Sequence, residues 1–297
     1  MMKFIWFCAA GYSFFVGIAL LMSVIIFSIL PMKTWRNLII YTLAIFAVFL
    51  IFISATPLAW WFYVVWLLSI LSLLLTVTLH KISSLKFPFV FRLIVLCLSI
   101  IALIAELPFQ LKPSLPGNKF EKLYIIGDSV SAGIAGREEQ TWPKIIREKH
   151  KINIINLAQS GATAASAIEQ AAQVKSEKAL ILLEIGGNDI FAPTAPAMFE
   201  QNLEKLLNIL SSPQNTLIML ELPLQPWQIR YGKIQRKLAK KFKVILIPKR
   251  FFVSVLSAEE ASTDLAHLSP KGHQLMATQI WLLIGDSMRN ATQSGEN

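Results

Sequence analysis

The sequence predicts an α/β protein: a doubly wound parallel sheet in a three-layer α/β/α sandwich, preceded by four transmembrane helices. Three observations carry this. Hydrophobic residues make up 55% of the 297 positions and charged residues only 15%. A soluble globule has about a quarter charged, and disorder needs low hydrophobicity with high charge. Second, the charge is uneven. Up to residue 110 the only charged residues are Lys3, Lys33, Arg36, Lys81, Lys86, Arg92 and Glu106, so that 22 basic and 17 acidic side chains fall in the rest. Third, from about residue 120, short apolar runs alternate with longer amphipathic ones.

Four apolar stretches order the front: Phe4–Leu30, Leu38–Ser54, Leu58–Leu79 and Phe89–Leu107. Each is near the length of about 20 residues that crosses a bilayer, where a helix is the structure that satisfies its own backbone. Pro31, Pro57, Pro88 and Pro108 stand at or beside the boundaries, where a missing N–H costs little. Trp35, Trp60, Trp61, Phe62 and Tyr63 cluster near the ends, as interfacial aromatics do. The first stretch exceeds a signal-peptide core and no small-residue cleavage site follows it, so it reads as a retained helix. No span carries a mid-membrane ionisable residue that would mark a transport route, which favours a passive anchor. The loop charges Lys33, Arg36, Lys81 and Lys86, with Arg92 snorkelling, place loops one and three in the cytoplasm. With four spans, both termini and everything after them then lie outside it, on the extracytoplasmic face of a plasma (inner) membrane.

Residues 1–110 thus form the membrane region. Residues 111–119, with Pro113, Pro116 and Gly117, form a linker, residues 120–290 a globular domain and 291–297 a polar tail. In the domain, strands are expected at Leu123–Ile126, Ile152–Leu157, Ala179–Ile185, Thr216–Leu220 and Val244–Ile247. Helices are expected at Trp142–Lys149, Ala164–Val174, Ala197–Leu210, Gln228–Phe242 and Pro270–Met288. Strand then helix, five times over, implies a parallel sheet covered on both faces, flavodoxin-like in kind. Ligands bind beyond the carboxyl ends of such strands.

Polar motifs stand at those ends. Gly127-Asp128-Ser129 follows the first strand, Gln159-Ser160-Gly161 the second, and Gly187-Asn188-Asp189 the third; Asp264-Leu265-Ala266-His267 comes near the C-terminus. They supply a hydroxyl, a glycine amide, a carboxamide and a carboxylate–imidazole pair. Acyl transfer needs those parts. A serine hydroxyl attacks once a base takes its proton, a carboxylate fixes the base's tautomer, and fixed donors hold the oxyanion. Taken singly, each has a plainer reading: Ser129 as a helix cap, Gly161 as a turn, Asn188 as a turn or cap, His267 as a surface histidine. Their joint order outweighs those readings. Both cysteines, Cys8 and Cys97, lie in the apolar front, so neither a disulfide framework nor a CxxC metal site fits the domain. No metal or cofactor is expected. His273 reads as a helix-face residue, and Glu184 and Glu221 as acids buried in apolar strands, with raised pKa.

Over residues 120–290 the chain resembles the SGNH (GDSL-type) hydrolases, and within them the small bacterial lysophospholipase and thioesterase branch: GDSVSAG, TWP, then LEIGGND. The resemblance implies Ser129 as nucleophile, His267 as base and Asp264 as its orienting acid. It implies oxyanion donors at the Ser129 N–H, the Gly161 N–H and the Asn188 amide. It implies a serine esterase, which the apolar front would anchor to a membrane, acting on a lysophospholipid or other lipid acyl ester, or on an O-acetyl ester of an envelope glycan; the front is where the chain departs from that branch. The same triad would serve an acyltransferase to such a glycan, and a relic site would leave a non-catalytic binding or assembly component. Expected partners are the acyl ester and membrane lipids, and not nucleic acid. The basic run Arg230, Lys233, Arg236, Lys237, Lys240, Lys241, Lys243, Lys249 and Arg250 reads as a solvated helix face, or more sharply as a contact for anionic headgroups.

Overall fold

The computed structural model describes residues 2–30, 35–79, 86–117, 120–134, 140–175, 178–192, 194–264 and 267–288. Lys33, His80 and Lys81, the last two linker positions, Leu265, Ala266 and the tail lie outside them. The chain divides into two compact units, one of Lys3–Gln110 with Leu224–Ile229, the other of Leu111–Pro223 with the residues from Arg230 on.

The first unit is helical: α1 (Met2–Ala9), α2 (Tyr12–Ile29), α3 (Arg36–Ile53), α4 (Trp60–Thr78) and α5 (Lys86–Glu106). Four of its helices are long and apolar enough to cross a membrane. The stretch expected as one helix is two, because Gly11 adopts φ +85°, a left-handed conformation open to glycine, and turns α1 away from α2. Continuous apolarity hid that break. α2 and α3 approach closely at Gly17, where a Cβ would stand 2.9 Å from the Ala47 carbonyl oxygen. Small residues permit such contacts between membrane helices. Arg92 does not simply snorkel: its guanidinium donates to Ser28 Oγ at 2.8 Å and to the Ser28 carbonyl at 2.7 Å, at the C-terminal end of α2. A cation there is favoured by the helix dipole. Trp35 and Trp60 are exposed at helix starts.

The second unit is a five-stranded parallel sheet of order β2-β1-β3-β4-β5, with β1 Lys122–Gly127, β2 Asn153–Asn156, β3 Ala179–Glu184, β4 Thr216–Leu220 and β5 Ile245–Ile247. Every residue of β3 is buried, and so is β1 from Leu123 onward. Near-continuous apolar runs of this kind mark strands covered on both faces. The helices are α6 (Ser129–Ala132), α7 (Trp142–His150), α8 (Ala167–Ala171), α9 (Gly187–Phe191), α10 (Pro196–Leu210), α11 (Ile229–Phe242), α12 (Lys249–Leu256) and α13 (Pro270–Ile284). α7, α13 and α12 pack side by side, and α8 packs against α10. This is the doubly wound class the sequence predicts. α8 is shorter than expected, because residues before it form turns rather than helix. α12 was not expected at all.

Four of the nine basic side chains of the basic run are paired or buried within the unit. Arg236 Nε lies 2.6 Å from Glu221 Oε1, with both side chains buried. Lys237 pairs with Glu200 of α10 at 2.6 Å, and Lys241 pairs with Glu204. Lys249 is buried. Lys237 and Lys241 stay exposed while paired, as on a solvated helix face. His273 is buried too, and its Nδ1 accepts the Trp142 N–H at 3.3 Å, joining α13 to the start of α7.

Candidate active site

The strand order reverses between β2 and β3 on either side of β1, and at such a switch point the loops leave a crevice. Gly127, the last residue of β1, lies opposite Glu184, the last residue of β3. The two loops that follow therefore start side by side. One carries Asp128 and Ser129, the other Gly186 to Asp189.

The first loop is rigidly built. Asp128 caps α6, its Oδ1 accepting the Val130 N–H at 3.0 Å. Asp128, not Ser129, is thus the cap, and Ser129 is left partly exposed as the first residue of α6. Beneath it, the side chain of Gln170 from α8 clamps Gly127. Its Oε1 accepts the Gly127 N–H at 3.0 Å and its Nε2 donates to the Gly127 carbonyl at 3.1 Å. Gln170 is wholly buried. Glu184 holds the other side: its Oε2 accepts the Asp128 N–H at 3.3 Å and the Ser131 hydroxyl at 2.9 Å.

The candidate oxyanion donors are tied into the same frame. Asn188 donates to Asp128 Oδ2 at 3.1 Å and to the Ala162 carbonyl at 3.0 Å. Both amide hydrogens are engaged, so a substrate oxygen would have to share one. Next to it, Asp189 Oδ2 accepts the Ala164 N–H at 2.8 Å. Two bonds from α9 thus fix the loop that carries Gly161. Gly161 is exposed with φ +79°, and a Cβ there would meet nothing within 4 Å. Among the described residues the N–H groups of Ser129 and Gly161 have no hydrogen-bond partner.

His267 and Asp264 form a two-point pair. Asp264 Oδ2 meets His267 Nδ1 at 2.7 Å, and Asp264 Oδ1 accepts the His267 backbone N–H at 2.7 Å. The loop is closed at its base, since Thr263 N–H donates to the His267 carbonyl at 3.0 Å and Ser262 bridges Leu268. It then enters α13, whose start is pressed against the loop: a Cβ at Gly272 would stand 1.9 Å from the Ala261 carbonyl oxygen. His267 and Ser129 are not hydrogen-bonded to each other among the described contacts. The imidazole is linked electrostatically to the loop that carries Ser129. Burial pushes the Asp128 carboxyl up to about 6, and the charge of His267 is among the groups that pull it back.

Carboxyls crowd the floor of the site. Burial, then the neighbouring Asp128, pushes Glu184 well above its ordinary value. Burial also raises Asp189, against the Ala164 N–H. Sequence reasoning marked Glu184 as a buried acid but did not connect it to Asp128, and it did not find Gln170 or Ser131. The only signal for Gln170 was an amide on the apolar side of a short helix.

The family model described as GDSL-like Lipase/Acylhydrolase matches residues 125–275. An arylesterase of Vibrio mimicus is 27% identical over 174 residues, covering 53% of this chain and 84% of that protein. Thioesterase 1/protease 1/lysophospholipase L1 of Escherichia coli strain K12 is 29% identical over 137 residues, covering 43% of this chain and 66% of that protein. Among solved structures, TesA overlays with a TM-score of 0.49 at 23% identity, over 55% of this chain and 97% of its own. The psychrotrophic esterase EstA from Pseudoalteromonas sp. gives a TM-score of 0.48 at 17% identity, over 56% and 97%.

Proposed function

We propose that this chain, which belongs to the GDSL-like Lipase/Acylhydrolase family, is a membrane-anchored serine esterase whose nucleophile is Ser129. It is an ester-hydrolysing enzyme. In the proposed mechanism His267 Nε2 takes the Ser129 proton as the hydroxyl attacks the acyl carbon. Asp264 holds the opposite ring nitrogen as the proton-bearing one and steadies the imidazolium. The oxyanion is received by the Ser129 and Gly161 N–H groups and the Asn188 amide. His267 then returns the proton to the leaving alcohol, and a water activated by the same imidazole releases the acyl group. Substrates are acyl esters near a membrane: lysophospholipids or other lipid esters, in line with the lysophospholipase name of one relative, or O-acetyl groups of an envelope glycan. The catalytic unit works on the extracytoplasmic side of a plasma (inner) membrane, with the four apolar helices as its anchor.

The observation that supports this best is the doubly anchored His267–Asp264 pair within electrostatic reach of the residue preceding Ser129. Fluorophosphonate labelling of the full chain tests it, followed by a panel of short and long acyl esters. Wild type should label and hydrolyse, and Ser129→Ala should do neither. Labelling that persists in Ser129→Ala would remove the assignment.

A further inference from the structure

We propose that Glu184 is a positioning residue for Ser129: it shares a single proton with Asp128, and this carboxyl pair locks the turn that carries the nucleophile. The proposal rests on the reading of Ser129 given above. Glu184 ends an all-apolar strand and is 5% exposed, and Asp128 is 4% exposed. The Asp128 N–H donates to Glu184 Oε2 at 3.3 Å, so the two buried carboxyls are neighbours, and each shifts the other's ionisation. Two neighbouring acids buried in a protein resist ionising together. The groups that face them, from every side given, are Ser131 of α6, Asp189 of α9, His267 from the loop before α13, and Gln170 of α8 one residue away on Gly127. Among the described residues, no lysine or arginine is among them.

The proton has an assignable owner. Asp128 receives the Val130 N–H and the Asn188 amide, and feels His267, all of which favour its anion. Glu184 lies deeper and next to that anion. So Glu184 donates O–H to the Asp128 carboxylate, while its Oε2 accepts from the Asp128 N–H and the Ser131 hydroxyl. One side chain thereby fixes the backbone before Ser129, the side chain after it and, through Asp128, the orientation of Asn188. When Glu184 loses its proton, two anions meet and the turn is released. A neutral carboxamide imitates the protonated acid: its NH2 donates to Asp128 and its carbonyl keeps both acceptor bonds.

The test is steady-state hydrolysis of p-nitrophenyl butyrate by the detergent-solubilised full chain, from about pH 6 to about pH 10, for wild type, Glu184→Gln and Glu184→Ala. Glu184→Gln should keep kcat/KM within about ten-fold of wild type near neutrality. Glu184→Ala should lose about 100-fold in kcat with KM little changed, since a loosened nucleophile is misplaced rather than substrate released. The wild-type rate should fall on the alkaline side, and the Glu184→Gln rate should not. A Glu184→Gln enzyme as poor as Glu184→Ala, or one that keeps the wild-type alkaline fall, overturns the proposal. Should Glu184→Ala fail to fold, the alkaline comparison of the other two still decides. Fluorophosphonate labelling of wild type separates the two levels: no label at Ser129 removes the nucleophile reading and this proposal with it, whereas normal labelling with either contrary result overturns Glu184's role alone.

Discussion

The Asp264–His267 contact makes an unusual demand on substitution at 264. The carboxylate uses both oxygens, one on the ring Nδ1 and one on the histidine's own backbone N–H, each at 2.7 Å. An asparagine has one oxygen. The backbone N–H is always a donor and takes it, which turns the NH2 toward Nδ1. Nδ1 must then be the bare nitrogen, and the ring proton moves to Nε2, the atom proposed to receive the proton of Ser129. Alanine makes no such demand, and water can accept from Nδ1.

The magnitudes follow from exposure. The two side chains are 33% and 57% exposed, so the pair sits in a high dielectric. At about 4 Å between charge centres, attraction to the imidazolium is about 1 kcal/mol in water and about 4 kcal/mol at an effective dielectric of about 20. Taking about 1–2 kcal/mol, Asp264→Ala should lower kcat/KM about 5- to 30-fold. Asp264→Asn adds the tautomer cost, which in a buried triad brings the total to about 10⁴; at this exposure about 10²–10³ is expected. The assay is p-nitrophenyl ester hydrolysis at fixed pH with both variants shown to be folded. Asp264→Asn should be the poorer enzyme. If it matches or exceeds Asp264→Ala, the two-oxygen argument is wrong.

Two other changes test the frame around the site. Gln170→Leu strands the buried Gly127 N–H and removes one of the two bonds to its carbonyl, which Gln159 N–H still serves at 3.1 Å. An unsatisfied buried donor costs about 1–3 kcal/mol, so the melting midpoint of the full chain should drop by about 2–12 °C; a change under about 1 °C would show that Gly127 finds another partner. Stability should also depend on pH through the acids beneath Ser129. Glu184 is raised well above its ordinary value and Asp128 to about 6. Above about pH 6 the folded state therefore keeps a proton that the unfolded state has lost, so stability falls as pH rises, by up to about 1.4 kcal/mol per unit until Glu184 ionises. Melting curves over that range should show the decline in wild type and a flatter profile in Glu184→Gln, and parallel profiles would contradict the raised acid.

Much of this was legible because the domain obeys simple rules. Thr216–Leu220 begins and ends where the apolar run does, β1 is longer than expected by one residue at each end, and β3 is shorter by one residue at its carboxyl end. Buried parallel strands are apolar throughout, so their limits coincide with polar or glycine residues. Three of the four motifs were legible for the same reason, each following a strand, whereas Asp264 and His267 lie between α12 and α13. α12 was not. Lys249–Leu256 is rich in phenylalanine and valine and reads as strand or loop, yet it begins directly after Pro248 and buries Phe252, Val253 and Val255. There, tertiary packing overrode propensity. Gln170 was hidden by distance, since nothing local marks an amide that will serve a backbone 43 residues away.

The strand order explains why Glu184 and Asp128 meet. In an order of 2-1-3, the first and third strands are neighbours with their carboxyl ends together, so whatever ends β3 is opposed to whatever ends β1. Gly127 is that opposing residue, and a Cβ on it would stand 2.9 Å from both the Glu184 carbonyl and its carboxyl oxygen. A side chain at 127 would therefore displace the acid from the turn. The glycine preceding Asp128-Ser129 is thus required by the glutamate across the sheet, not by its own backbone, whose φ is not positive. The glycine and the acid, 57 residues apart in the chain, make one packing unit. Its polar end reaches Ser131 and Asp128 on either side of Ser129.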